Sequence, residues 1–325
     1  MGRVIRIITI SILLISIVIP ASWAAEPIII DHTCTDITKI PQAAIERAKA
    51  RLHIAYGHST HGNQLTSGMT GLVAFANGGG LGLALPEDIF AWNDGGADGA
   101  LDLRDGAMGG SMGDYPRWVI NTRNYLDNPA NNKVNVVIWS WCDQMEAKYA
   151  AGTIKSEYLE PMAQLESTYP HVTFVYMTGH VNIWNDANNK TANQIIRDYC
   201  MANNKVLYDF ADIERYDPSG KYYEFAHDNC DYYDGPGGKN LGNWATQWQD
   251  THVEGQDWYY CYTADSESLN ANQKAFAAWW LCAKLVGWDG VSVSSVQPVL
   301  ISSLPVMILA LLGIVISGLR KRIGL

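Results

Sequence analysis

The sequence has no cysteine pair at zinc-finger or redox-motif spacing, no haem-attachment motif, no internal repeat and no long Ser/Pro linker before Asp289. A zinc-finger module, a thioredoxin-type redox centre, a c-type cytochrome and a solenoid are therefore excluded. Its glycine-rich run, Asn77-Gly-Gly-Gly-Leu-Gly-Leu-Ala-Leu85, follows a helical pattern and lacks the lysine of a phosphate loop, so it is no nucleotide site. Asn93 to Gly106 carries Asp94, Asp98, Asp102 and Asp105 without the rhythm of a calcium loop, and reads as a solvated acidic loop. Positive charge is also scarce. Five of the 23 Lys and Arg lie in the two end segments, leaving 18 against 33 acids, about −15, between them. Such a surface repels phosphate backbones, and nucleic acid is not an expected partner.

The ends carry most of the long apolar runs. Residues 1–24 combine Arg3 and Arg6, an apolar stretch from Ile7 to Pro20, and Ser22-Trp23-Ala24, the pattern of a secretory signal peptide. Val299 to Leu319 holds no charge and is followed by Arg320-Lys321-Arg322. That length crosses one bilayer as a helix, and the basic cluster favours the cytoplasmic side. The expected layout is a signal peptide (1–24), one α/β domain (25–290), a linker (291–298), a transmembrane helix (299–319) and a basic tail (320–325). The domain would then be exported and tethered to the cell membrane. Export permits disulfides among Cys34, Cys142, Cys200, Cys230, Cys261 and Cys282, with Cys230–Cys261 the first pair expected. Twelve Trp and seventeen Tyr in an acidic exported chain suggest carbohydrate as a ligand class.

Between the ends, four short apolar runs read as buried strands: Leu52 to Tyr56, Val134 to Trp139, Val172 to Met177 and Val206 to Phe210. Helical patterns alternate with them, at 40–51, 64–76, 115–126, 156–169, 191–202 and, amphipathic, at 270–286. This order predicts a parallel sheet with helices on both faces, every strand ending on one rim. The four runs empty into Gly57-His58-Ser59-Thr60-His61-Gly62, Ser140-Trp141-Cys142-Asp143-Gln144, Thr178-Gly179-His180-Val181-Asn182 and Ala211-Asp212. Hydroxyls, imidazoles, carboxylates and amides on one rim predict a polar cleft where sites form in such sheets.

Strand, Gly-x-Ser turn and helix, here Gly57-His58-Ser59-Thr60, resemble the first block of the SGNH/GDSL hydrolases. Gly106 to Asp114 is similar to the loop that supplies an oxyanion glycine, near Gly110. Ser140 to Gln144 stands in the slot of the family's asparagine. Asp265 with Ser268-Leu269-Asn270 resembles the terminal Asp-x-x-His block, with Ser268 where the family has its general base. "YGHSTHGNQL", "VVIWSWCDQ", "YMTGH" and "LYDFADIERYDPSG" are similar, more narrowly, to an exported bacterial subgroup of that superfamily, over roughly residues 28 to 290.

The resemblance implies a three-layer α/β fold and an esterase or deacetylase acting on a small-molecule or polysaccharide ester. Ser59 or Thr60 would be the nucleophile, His180 the base and Asp265 its orienting partner. His58, His61, Gly110, Cys142, Asp143, Gln144, Asn182 and Ser268 would bind substrate or oxyanion. No metal or other cofactor is expected. Two alternatives stand beside it: a non-catalytic carbohydrate-binding protein that has lost the base, and a metal-dependent hydrolase using His58, His61, His180 and Asp212.

Overall fold

The computed structural model describes residues 26–291. The expected signal peptide, transmembrane helix and basic tail lie outside these residues. Among the described residues no helix is long and apolar enough to cross a membrane.

Seven strands form one all-parallel sheet: β1 (Ile28–Ile30), β2 (His53–Gly57), β3 (Trp92–Asn93), β4 (Leu101–Arg104), β5 (Val136–Trp139), β6 (Thr173–Met177) and β7 (Val206–Tyr208). Their order is β1-β7-β6-β5-β2-β4-β3. The four strands read from the sequence are thus consecutive neighbours, β7-β6-β5-β2. Three more strands extend the sheet. One of them, β4, lies inside the stretch expected to be a solvated acidic loop. There Asp102 is buried, with Arg104 as its charge partner and the His53 imidazole hydrogen-bonded to it (Nδ1–Oδ2 2.8 Å).

Side chains alternate across the sheet because successive Cβ atoms leave opposite faces. Ile54, Tyr56, Ile138 and Val175 face one core, and Ala55, Val137, Trp139 and Phe174 face the other. The helices are α1 (Gln42–Arg51), α2 (Asn63–Asn77), α3 (Arg117–Leu126), α4 (Met145–Ala150), α5 (Glu160–Thr168), α6 (Asp186–Ala202), α7 (Phe210–Ile213), α8 (Trp244–Gln249) and α9 (Ser268–Leu285). Residues of α1, α2 and α9 fill the first core, and residues of α3, α5 and α6 fill the second. The last helix was expected to be amphipathic. Instead α9 is buried on every side from Ser268 to Ala283, because α1, α2, α7 and α8 all pack on it.

The chain from Glu214 to Tyr262 forms a cap over one side of the rim. It contains the hairpin β8 (Asp231–Tyr233) with β9 (Asn240–Asn243), and its Tyr223, Ala226, Cys230 and Trp244 form a small third core with Val181, Ala211 and Leu269. No disulfide holds it: all six cysteines are free. Cys230 Sγ faces Ser266 Oγ at 3.5 Å, while Cys261 Sγ turns to the Ser268 carbonyl at 3.8 Å, so the expected pair is not made.

Gly57 closes β2 where the backbone passes the Trp139 ring. A Cβ there would lie 2.5 Å from the indole, which is fully buried. Gly57→Ala is expected to cost about 1–3 kcal/mol through overpacking. In thermal unfolding the midpoint should fall by roughly 2–4 °C for each kcal/mol. An unchanged midpoint would show that the indole can yield.

Candidate active site

The sheet register brings the site together. Gly57 pairs with Trp139, and the Ser140 amide donates to the Gly57 carbonyl at 2.9 Å, so β2 and β5 end level. His61, four residues past β2, then meets Cys142, three residues past β5, with Nδ1 3.4 Å from Sγ. The next strand, β6, delivers His180. The two imidazoles stack with centroids 3.9 Å apart and planes within 3°. The cap supplies Asp228, whose Oδ2 lies 3.0 Å from His61 Nε2 and 3.6 Å from His180 Nδ1. His180 Nδ1 donates to the Val181 carbonyl at 3.0 Å, and its Nε2 lies 3.0 Å from Asp143 Oδ1. A continuous line therefore runs Cys142–His61–Asp228, with His180–Asp143 beside it.

Charge follows this geometry. Burial alone would lower His61, but hydrogen bonds to Asp228 and Cys142 outweigh it and push its pKa up to about 10. The His61 imidazole, in turn, is the main reason that the Cys142 thiol is held down at about 7. Burial opposes this, and the Ser59 hydroxyl assists without reaching hydrogen-bond geometry. Burial would raise Asp228, yet its bond to His61 keeps it below the usual carboxylate range. The His180 hydrogen bond does the same for Asp143. His180 is raised: burial and the neighbouring His61 charge oppose this, and the bond to Asp143 prevails. The pattern is that of an imidazolium–thiolate pair, the environment that makes a cysteine reactive.

Cys142 is also the only half-exposed cysteine. The other five are buried and pushed up by desolvation, Cys200, Cys230 and Cys282 to about 12 and Cys261 to about 11. Iodoacetamide should therefore label one thiol per folded chain, at a rate that rises through pH 7 as the thiolate forms. Peptide mapping should place the label on Cys142; labelling spread over several cysteines would contradict the assignment.

Other expected site residues lie nearby in different roles. Ser59 Oγ is buried and has no hydrogen-bond partner, so no histidine activates it in this geometry. Thr60 is exposed. His58 turns away to Asp105, with Nε2–Oδ1 at 2.7 Å. Asp265 is exposed and orients no imidazole; Asp228 holds that place. Ser268 is tied to the Cys261 backbone, donating to its carbonyl at 2.9 Å, and serves the start of α9. Asn182 caps the short turn at Ile183–Asn185 by accepting from the Trp184 amide. Asp212 pairs with His32 (Nδ1–Oδ2 2.5 Å) rather than with the rim histidines. The loop of Gly110 does meet Gln144. Ser111 Oγ donates to Gln144 Oε1 at 3.2 Å, and a Cβ on Gly113 would lie 2.4 Å from Gln144 Cγ.

No family model, curated protein or solved structure matches this chain. The residue missed by sequence reasoning is Asp228, in His227-Asp228-Asn229-Cys230, a stretch with no strand or helix period to mark it. Among the described residues, two groups offer metal-ligand types: His61, Asp143 and His180, and separately Asp31, His32 and Asp212. In the second, Asp31 Oδ1 is already engaged by Thr33, and the His32 ring stacks on Tyr216 at 3.5 Å.

Proposed function

We propose that the chain is an exported, membrane-tethered acyl hydrolase, an esterase or deacetylase acting on carbohydrate or other cell-surface esters, with Cys142 as its nucleophile. The observation that carries this reading is the Cys142–His61–Asp228 line, 3.4 Å and then 3.0 Å. It supplies the nucleophile, base and orienting carboxylate that acyl transfer requires.

The Cys142 thiolate would attack the ester carbonyl carbon. His61 would pass its Nδ1 proton to the departing alcohol oxygen, leaving a thioester on Cys142. Water would then attack the thioester as His61 takes up one of its protons, releasing the acid and restoring the imidazolium–thiolate pair. Asp228 keeps His61 in the tautomer with Nε2–H, so that Nδ1 handles the moving proton. Gln144, with its carboxamide oxygen held by Ser111, retains its NH2 as a donor for the developing oxyanion.

An exposed aromatic beside the line supports a sugar-bearing substrate. Trp184 is 66% exposed, packs edge-on to Tyr233 and donates to His227 Nε2 at 3.1 Å; His227 Nδ1 lies 3.2 Å from Asp228 Oδ1. This exposed indole offers a face on which a sugar ring could stack. Trp184→Ala should raise KM for acetylated saccharides about 2- to 10-fold, the worth of one aromatic contact, with little effect on small aryl esters.

The test is hydrolysis of aryl acetates and acetylated oligosaccharides by the purified protein before and after iodoacetamide. The reading predicts turnover that alkylation removes. Turnover that survives complete labelling of Cys142 would overturn it, as would absence of turnover on every ester tried.

A further inference from the structure

We infer that the same rim is a binding site for one divalent transition-metal ion of the zinc class, held by His61 Nδ1, His180 Nε2, the Asp143 carboxylate and the Cys142 thiolate. One nitrogen of each ring and one Asp143 oxygen lie within 4.8 Å of one another. Cys142 Sγ borders this triad, 3.4 Å from His61 Nδ1 and 3.9 Å from Asp143 Oδ2, while His180 Nε2 is 3.0 Å from Asp143 Oδ1. Bonds of about 2.0–2.3 Å to a tetrahedral zinc ion put its ligand atoms roughly 3.3–3.7 Å apart; the three neighbouring separations lie around that spacing, and the side chains would draw together around an arriving ion to complete the set.

Hydrogen bonding points the right atoms inward. The Val181 carbonyl can only accept, so His180 carries a proton on Nδ1 and turns Nε2 to the group. Asp228 accepts a hydrogen bond from His61 Nε2–H, which turns Nδ1 the same way. Each ring is thus backed by an acceptor on its far edge, the outer support that metal-binding histidines usually have. The backing is itself anchored: the Val181 amide donates at 2.7 Å to Glu214, which pairs with the buried Lys274.

The stacked rings give an independent argument. Two parallel imidazoles 3.9 Å apart repel when both are protonated, and the two contacts to Cys142 and Asp143 each need a bridging proton. One dication replaces both protons and leaves the rings neutral. Two nitrogens, a sulfur and an oxygen suit zinc or its transition-metal neighbours rather than magnesium or calcium. Asp143 has 74% of its side chain exposed, which leaves the group open to an arriving ion.

This departs from the sequence expectation of no metal. It uses the site of the proposed hydrolase but does not require the thiol to be a nucleophile. If both hold, the bound ion ties up the sulfur and the metal-loaded protein is the latent form.

The experiment is titration of the purified full chain, stripped with chelator, with Co(II) and then Zn(II). One Co(II) per chain is expected, with a thiolate-to-metal charge-transfer band in the near ultraviolet that Zn(II) abolishes. Cys142→Ser should remove the band, and His180→Ala or Asp143→Ala should weaken binding at least tenfold, with circular dichroism confirming that each variant is folded. Absence of stoichiometric binding, or a band unaltered in Cys142→Ser, overturns the site. Ester hydrolysis by the stripped protein is measured in parallel. Hydrolysis without cobalt binding sinks only the metal site, and cobalt binding without hydrolysis sinks only the acyl-hydrolase reading.

Discussion

Cys142→Ala is expected to lower kcat/KM for ester hydrolysis by about 10⁴-fold or more, the scale seen when a nucleophile is removed from a coupled triad. His61→Ala should cost a similar factor, because the two groups act as one unit: without the imidazole the thiol loses both its proton acceptor and the positive charge that holds its pKa at about 7. The double variant should be little worse than either single one. Asp228→Asn should be milder and more specific. It keeps the shape but removes the carboxylate that fixes Nε2–H and holds His61 near 10. Ser59→Ala is the control that separates this account from a serine mechanism. The Ser59 hydroxyl has no hydrogen-bonded base, so its loss should change the rate by far less than the loss of the thiol. The reverse ranking, with Ser59→Ala inactive and Cys142→Ala active, would return the chemistry to serine. Both rates come from steady-state hydrolysis of a chromogenic acetate.

The second large effect concerns stability. Lys274, in the middle of α9, is fully buried, with Nζ 2.6 Å from Glu214 Oε1, a further bond to Gln64 and the Phe210 ring 3.9 Å away. Burial depresses its pKa, and Glu214 opposes that. Glu214 is equally buried, and its other oxygen accepts from the Val181 amide at 2.7 Å. Removing one partner of such a pair strands a charge in the interior and costs about 3–5 kcal/mol, whereas replacing both can be nearly neutral. Lys274→Met should therefore lower the unfolding midpoint by roughly 10 °C, on the scaling for domains of this size. Adding Glu214→Gln, which keeps an acceptor for Val181, should recover most of the loss. A single variant as stable as the parent would mean that Glu214 is neutral or that water reaches the pair. Equal losses in the single and double variants would mean that packing, not charge, dominates.

The four central strands could be read because each is a short run dominated by apolar residues, and their polar tips could be read because each run gives way to hydroxyls, imidazoles, carboxylates or amides. The expected meeting of the loops after β2 and β6 is realised in the stacked His61 and His180. The edge strands β1 and β3 span only three and two residues, and β4, paired between β2 and β3, is four residues set in a run of acids and glycines that masks it. The burial of Asp102 beneath Arg104 and His53 could not be read from a run of acids and glycines, since its partner His53 comes from another strand.

The site was legible as a place more than as a mechanism. A serine after Gly57 draws attention because a strand-to-helix turn is where hydrolases lift a hydroxyl. What decides the nucleophile is the direction of His61, which crosses from the β2 loop to the β5 loop and meets sulfur. Side-chain direction in an irregular turn is not encoded by spacing along the chain. Asp228 was hidden for a related reason. It reaches the site through the cap, whose hairpin and short helix α8 carry weak patterns and whose order comes from packing around Tyr223, Cys230 and Trp244.

The most direct measurement is intact-mass spectrometry and peptide mapping of the protein quenched in acid during turnover of a slowly deacylating activated ester. One acyl group per chain on the peptide containing Cys142, absent from Cys142→Ala and released by hydroxylamine, is the expected result. An acyl group on Ser59 or Thr60, or none on any residue during demonstrated turnover, would contradict the thiol mechanism.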